Sequence, residues 1–477
     1  KDKVDGNKVN NDLNYWKKNL KNIIKYCIKD CKLTMQLGKI LIDKIKELGL
    51  FLPKFLISPA SLSKQYFRYK NDFFGLKYTP INIVQIAYNT YYGGRFEVLH
   101  RGYFNKLYLY DIVSQYPNFI KNLPNMDSGY WKFYKNIELP KKSCIGYFRA
   151  IVKIPMNEIL PTLPIKEKNL VTFPNGTFFD WYTWYDLDLM RKYIISIDLA
   201  YIFEDIYYKK PFLSKINELF NKKKKINKSI DELGYNIVKI TMNGLYGCFI
   251  EKHKNYFYNE EKKEFFIRYK SGILFNPIYA SQITAFGRWS VIKDIPNKLK
   301  NHIIAIHTDS IISDINLINY LEIGKSLGNW NLEVKGKGII IGTGIYQIGN
   351  KVKTRGIPFK LVKNWFKIIK KNKNNEYITF IIKHFKKIRE AIVQDKSIIN
   401  TNRMFDIEKK LNCNCDLKRT WSDKFSNFSD LGSRNISSLP YYSFEKEVSL
   451  NLNPIIISQN TNIPLNISSY ILEKSPY

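Results

Sequence analysis

Two aspartates stand at the ends of apolar, strand-like runs: Asp111 in YLYDIVSQYP (108–117) and Asp309 in IIAIHTDSIIS (303–313). Neither is followed by a lysine or arginine that would neutralise it locally, and a carboxylate near a core is costly unless a cation or hydrogen bonds compensate it. Brought together from separate strands, the two would hold a pair of Mg2+ ions, with Mn2+ able to substitute, the arrangement that serves in-line displacement at phosphorus. Either motif alone reads equally well as an acidic turn cap; the pairing favours the metal. A third stretch, KITMNGLYG (239–247), places Lys239, Asn243 and then Tyr246 and Gly247 on one face of a helix. That face suits a nucleoside triphosphate, with the lysine on the phosphates and the ring and glycine on the base. A solvated lysine near a glycine helix end is the plainer account of the stretch taken singly.

Composition points to the partner. Lys and Arg number 76 against 42 acids, a formal net charge of +34 spread along all 477 residues, so the expected partner is a polyanion. No apolar run is long enough to span a membrane and no amphipathic anchor stands out, so nucleic acid is favoured and a membrane is not. Six cysteines form neither a disulfide pattern nor paired CxxC knuckles; Cys413 and Cys415 lack histidine partners, and His100, His253, His302 and His384 stand alone. A reducing interior is expected. The chain opens on KDKVDGNK without a methionine or a targeting segment and reads as a fragment of something longer. Its Lys, Asn, Ile, Tyr and Phe usage is that of an AT-rich genome.

The elements that must position these residues follow from periodicity. Residues 13–48 read as a long amphipathic helix ending at Gly49, and 103–113 as a buried strand followed by a helix start at Ser114 and Pro117. Residues 124–205 read as an inserted module of short strands. Residues 211–249 read as two lysine-bearing helices joined around Gly234, 250–275 as a charged aromatic excursion, and 276–295 as a further helix. Beyond 350, NWFKIIKKN and FIIKHFKKIREAI read as short helices, and from about 420 the Ser and Asn content suggests a loosely ordered tail.

Together the three chemical stretches resemble the family-B DNA polymerases, and specifically their protein-primed branch. DIVSQYP is similar to the family's DxxSLYP, KITMNGLYG to KxxxNSxYG with Gly244 where serine is usual, and HTDS to DTDS with His307 in place of the first aspartate. YYGG (91–94) resembles the YxGG link, TAFGR (284–288) the Tx2GR element, and KTRG (353–356) a lysine motif near the start of the thumb. The six stretches also come in the family's order, over roughly residues 13–420.

The resemblance implies an α+β right-hand fold: a palm with an antiparallel sheet, helical fingers and a thumb, after the tail end of an exonuclease domain. The boundaries it implies are 1–60 exonuclease remnant, 61–123 linker and first palm segment, 124–205 and 250–275 the two terminal-protein-region inserts, 206–249 fingers, 276–345 palm, 346–420 thumb and 421–477 tail. It implies Asp111, Asp309 and the Ile112 backbone as metal ligands, the two aspartates being catalytic. Backbone N–H groups of residues 112–116, including Ser114, Gln115 and Tyr116, would cradle a dNTP, with Lys222, Lys239, Asn243 and Tyr246 completing its site. Tyr116 would also exclude a 2′-hydroxyl. Tyr91, Gly93, Gly94, Thr284, Arg288, Lys353 and Arg355 would contact primer-template DNA, Lys353 at the primer-terminal phosphate. At initiation the attacking hydroxyl would be that of a Ser, Thr or Tyr of a terminal protein, and the setting a mitochondrion or a linear plasmid. Tyr26 and Asp30 resemble the element that ends the family's 3′–5′ exonuclease domain, and no proofreading is expected of the chain by itself. His307 leaves open a degenerate copy that only binds DNA; a basic structural protein is the remaining alternative.

Overall fold

The structure, a computed structural model, describes residues 4, 9, 12–54, 58–68, 76–167, 170–259, 261, 264–387 and 404–443. Helix α1 (Leu13–Glu47) is the long helix read from the apolar spacing. The Asp12 side chain caps its start by accepting from the Tyr15 N–H, and Gly49 turns left-handed just past its end (φ 65°) while the Leu50 N–H closes on the Ile45 carbonyl. Helices α2 (Pro59–Arg68) and α3 (Ile81–Asn89) lead to strands β1 (Phe96–Val98) and β2 (His100–Ile112), then to the short helix α4 (Gln115–Ile120). Strands β3 (Gly129–Lys135), β4 (Gly146–Ile154), β5 (Asn175–Thr183) and β6 (Ile194–Asp205) precede a helical hairpin, α5 (Leu213–Lys225) and α6 (Glu232–Asn243). A β-hairpin, β7 (Lys252–Asn259) and β8 (Glu264–Ser271), precedes helix α7 (Pro277–Ser290). After it come β9 (Ile303–His307), β10 (Ser310–Ser313), β11 (Trp330–Gly342), β12 (Ile345–Ile348), β13 (Lys351–Thr354) and helix α8 (Trp365–Lys371). A last hairpin, β14 (Tyr377–Phe385) and β15 (Met404–Asn412), is followed by β16 (Asn435–Leu439).

The larger sheet runs β1-β9-β10-β2-β11-β12-β13, with β16 laid against the start of β2. Its strand pairs are antiparallel. Strand β2 is central, and its near-continuous apolar run is explained by cover on both faces: Tyr108, Tyr110 and Ile112 enter one core cluster, Leu107 and Leu109 the other. Asp111 therefore emerges on the Leu109 side, at the end where the strand runs out. The second sheet runs β5-β4-β6-β3, with Tyr442–Ser443 added in parallel beside β5.

Several expectations need correction. The 124–205 region, expected as an inserted module of short strands, packs into the rest of the molecule: Tyr147, Trp181 and Phe148 share one core with Phe212 and Ile216 beside and within α5 and Ile278 of α7. The helices of that hairpin do not join at Gly234. Asp231 accepts from the Gly234 N–H at 2.8 Å and caps α6, which puts the glycine inside the first turn and the joint at 226–231. FIIKHFKK is not helical: its 380–385 part lies in β14, since Ile378 and Phe380 are buried together with Leu411 of β15. Residues 388–392, the rest of that expectation, lie outside the described residues.

Within the described residues 420–443 the expected loose tail is instead packed. Phe425, Phe428, Leu431 and Ile436 are buried, and Arg419 enters the larger sheet's underside, where its guanidinium meets Glu97 at 3.1 Å and Arg95 meets the same carboxylate from the other side. All three side chains are buried. Residues 444–477 lie outside the described residues.

Candidate active site

Strands β2 and β10 bring the two aspartates together. Asp111 is the register partner of Ser310, and the Ile112 N–H donates to the Asp309 carbonyl at 2.8 Å, so the two acidic residues come from directly adjacent chain ends. Both turns are held in a conformation that non-glycine residues rarely adopt: Ser114 has φ 50° and Thr308 φ 62°. Such strain gathers where a fold over-determines the position of a functional group. The surroundings of the Thr308 turn do this. Its N–H donates to the Arg95 carbonyl at 2.7 Å, and its own carbonyl accepts from the Gln115 side-chain amide at 3.3 Å. That amide also donates to the Gly287 carbonyl and the Ser290 hydroxyl of α7, so Gln115 holds the turn from a buried position.

The electrostatics are those of an unfilled charge. Burial first, then the Asp309 and Glu333 charges, push the Asp111 carboxyl up to about 7, with Lys351 and Lys239 opposing. Burial raises Asp309 as well. Neither carboxylate makes an ion pair among the described residues. Among those residues no three His, Cys, Asp or Glu side chains converge closely enough to hold a metal ion by themselves. An all-oxygen pair of carboxylates that relies on further oxygens from backbone or substrate is the donor set that Mg2+ prefers, so the residues present fit such an ion. Glu333 escaped the sequence reading. It is the extra residue at a bulge in β11, between Leu332 opposite Tyr110 and Val334 opposite Leu109, and is ion-paired with Lys351. Its alternation within a strand was visible in the sequence; the bulge that turns it toward Asp111 was not.

His307 is buried between two rings, 4.9 Å from Phe96 and stacked at 5.1 Å and 3° on Tyr346. Burial first, then the charges of Lys353, Arg355 and Lys351, push its imidazole down to about 3, so it is neutral at physiological pH. Among the described residues neither ring nitrogen has a hydrogen-bond partner. The histidine thus adds no positive charge beside the aspartates.

The expected nucleotide-binding residues divide. Lys239 and Asn243 are exposed on one face of α6, and the Lys239 charge acts at both aspartates. Tyr246 follows beyond the break at Gly244, its hydroxyl 2.6 Å from that of Tyr91 and its ring 4.8 Å from Tyr116. Lys222 is placed elsewhere: it pairs with Glu218 at 2.8 Å and donates to the Leu48 carbonyl at 2.9 Å. The lysine of α5 that faces the aspartates is Lys223, 3.2 Å from the Ser114 hydroxyl and lowered by burial and then by the Lys239 charge. Of the donors expected from residues 112–116, two are already taken, Ile112 by Asp309 and Val113 by the Asn329 carbonyl. Those of Ser114, Gln115 and Tyr116 open α4, where helical N–H groups have no intrahelical acceptor.

The expected DNA contacts divide too. Lys353 and Arg355 are exposed, Arg355 lying over the Phe96 ring. Thr284 is fully buried and donates within α7, and Arg288 is 2% exposed, held by Asp186 at 2.8 Å and donating to the Gly93 carbonyl. Neither can touch DNA; Arg288 instead fixes the 91–94 loop. Gly94 is the close approach in that loop, since a Cβ there would lie 2.6 Å from Thr308 and 3.0 Å from the Tyr116 hydroxyl. Tyr26 and Asp30 lie on the exposed side of α1, Tyr26 being 37% exposed, and neither is joined to this site.

The departure at Gly244 has a physical account. A Cβ there would meet the Ser63 hydroxyl at 2.4 Å, and that hydroxyl, on α2, donates to the Thr241 carbonyl at 2.8 Å. A hydroxyl therefore reaches the end of α6 from a neighbouring helix. Gly244→Ser is expected to destabilise the protein by roughly 1–3 kcal/mol through overpacking, and adding Ser63→Gly should restore most of that loss in a denaturant titration. Equal stability of the wild type and Gly244→Ser would refute the account.

The site is thus a pair of acids at adjacent strand ends of an antiparallel sheet, beside a basic helical hairpin. Residues 3–323, more than half of the chain, match the family of organellar and viral type B DNA polymerases, and the protein belongs to that family. A DNA polymerase of Acidianus bottle-shaped virus (isolate Italy/Pozzuoli) is 26% identical over 285 residues, which cover 56% of this chain and 40% of that one; this chain thus spans about two fifths of that relative's length. Among solved structures, Phi29 DNA polymerase with primer-template DNA and incoming nucleotide is similar at TM-score 0.56 and 16% identity over 75% of this chain and 68% of that one. Phi29 DNA polymerase with single-stranded DNA is similar at TM-score 0.57 and 16% identity over 78% and 70%. The likeness establishes the α+β right-hand polymerase fold.

Proposed function

We propose that the protein is a template-directed DNA polymerase that adds dNTPs to a 3′-hydroxyl on primer-template DNA. The observation that carries this reading is the adjacency of Asp111 and Asp309, half-buried, raised and without an ion pair among the described residues, facing Lys239 and Lys223 of a basic hairpin. Asp111 and Asp309, with the Ile112 backbone, would hold Mg2+ or Mn2+, which when bound supplies charge neutralisation at the phosphates and a more acidic attacking hydroxyl. Lys223 and Lys239 neutralise the triphosphate, and the Tyr91–Tyr246–Tyr116 cluster forms a floor beneath the sugar and base. Lys353 and Arg355 hold backbone phosphates of the primer. By its resemblance to the protein-primed branch, initiation on a terminal-protein hydroxyl is part of the proposal. Residue usage supports an AT-rich replicon in a mitochondrion or a linear plasmid, and the viral relative supports a viral replicon as the other source.

The test is extension of a primed template by each single dNTP with Mg2+ or Mn2+. Incorporation that follows the template base, and that Asp309→Asn abolishes, is expected. His307 favours a second reading, a remnant that binds DNA without turnover; binding without incorporation under either metal would establish it. A sharper expectation concerns the lysines. Lys223→Ala should raise the KM for dNTP about tenfold or more, the worth of a charge-assisted contact to phosphate, whereas Lys222→Ala should leave KM within about twofold. The reverse order would move the triphosphate to the other side of α5.

A further inference from the structure

Away from the aspartates, the second sheet turns one face into the core through Phe148, Phe178 and Ala200. Its other face carries a row of flat groups across β3, β6, β4 and β5. Phe133 lies 5.2 Å from Tyr201, Tyr201 stacks on Trp181 at 5.6 Å and 24°, and the Arg149 guanidinium lies 5.9 Å from Trp181 and 5.3 Å from Phe179. The register puts them on one side: Phe133 opposes Tyr201, Arg149 opposes Trp181, and Ile151 opposes Phe179. Both ends of the row are open, Phe133 being 47% and Phe179 37% exposed. The row has a charge sign as well. Lys135, over the Phe133 ring, and Lys153 are exposed and make no ion pair among the described residues. Asp198, the acid that touches the row, is already bound by Arg149.

We infer that this face is a binding platform for single-stranded DNA. Open rings at both ends of the row, Phe133 and Phe179, with Tyr201 half-buried and the half-buried Arg149 guanidinium lying over the buried Trp181 between them, flanked by lysines that have no ion pair among the described residues, are complementary to a strand whose bases are unpaired and whose phosphates are close by. A row crossing four strands is roughly 15 Å long, room for two or three bases. A duplex keeps its base faces covered and gains nothing from the rings. A protein partner would need acidic residues opposite the lysines and would gain little from Arg149, whose face is already stacked. None of these residues belongs to the proposed polymerase site, and the inference stands or falls separately from it.

The test is fluorescence anisotropy of the full chain with labelled dT12 and with an abasic strand of the same length, across a range of salt. Phe133→Ala combined with Phe179→Ala should weaken dT12 about tenfold or more and change abasic-strand binding by less than about twofold. Phe133→Leu with Phe179→Leu, which keeps apolar bulk but no ring face, should show the same selective loss. Lys135→Gln with Lys153→Gln should weaken both strands alike and flatten the salt dependence. Thermal midpoints of all variants should match the wild type, and templated incorporation on a short overhang should be unchanged. Equal losses on the two strands, or no loss on dT12, would overturn the inference. So would loss of self-association in sedimentation with dT12 binding intact, which would make the face an interface between copies of the chain.

Discussion

Asp111→Asn should reduce templated incorporation about 10^3-fold or more, several kcal/mol of transition-state stabilisation, while raising the thermal midpoint of the protein in chelator at pH 8. The two outcomes share one cause. Two carboxylates are held at neighbouring strand ends where burial raises both and Glu333 adds a third charge, with no cation paired to either aspartate. Without a bound ion the arrangement destabilises the fold, and removing one charge relieves roughly 1–3 kcal/mol of that repulsion and desolvation. With an ion and a nucleotide the same charges are what the reaction uses. A structural aspartate gives the opposite pair of results: a lower midpoint on substitution, and incorporation that falls only as far as the folded fraction does. Differential scanning fluorimetry beside single-nucleotide extension separates the two.

Glu97→Gln should destabilise the protein by about 3–5 kcal/mol, because it leaves Arg95 and Arg419 buried with no counter-charge. Burial by itself would raise the Glu97 carboxyl, but Arg95 and then Arg419 outweigh it and hold it below its ordinary range. A lowered carboxyl contributes stability that is fully present above the ordinary value of 4.5 and is lost as pH falls through the folded value. The gap between wild type and variant should therefore be widest at neutral pH and narrow in acid. The same substitution should slow incorporation beyond its effect on folding, because the Arg95 backbone carbonyl holds the Thr308 turn beside Asp309. Urea titrations at pH 7 and pH 4, with incorporation measured on the folded fraction, read both effects. A variant as stable as the wild type at pH 7 would show that the three charges do not form one unit.

The parts legible in the sequence were those encoded locally. The run LYLYDI announced a strand covered on both faces, and its aspartate was the anomaly that marked the site. Apolar spacing announced α1 and Gly49 its end. Contacts between distant segments were not legible. FIIKHFKK carries apolar residues at spacings that suit a helix or a strand, and the choice was made by β15, some twenty residues further on. Arg288 belongs to a motif that suggests DNA, yet its guanidinium is spent on Asp186 and Gly93. In the KKKK run the angular offset between Lys222 and Lys223 decides which lysine faces Ser114, and that offset depends on how α5 packs. The polar look of residues 420–443 concealed apolar anchors, among them Phe428 and Ile436, that bury against the larger sheet. Glu333 needed the bulge in β11, and Ser63 needed the approach of α2 to α6, before either had any meaning at the site.

Binding of Mn2+ in the presence of dNTP, followed by electron paramagnetic resonance for the wild type, Asp111→Asn, Asp309→Asn and the double variant, tests most directly whether the two carboxylates act as one site. If they share ions, either single substitution should remove most of the tight binding and the double variant should bind little worse than the singles. Single variants that bind Mn2+ as the wild type does, or losses that add as independent sites would, contradict the account.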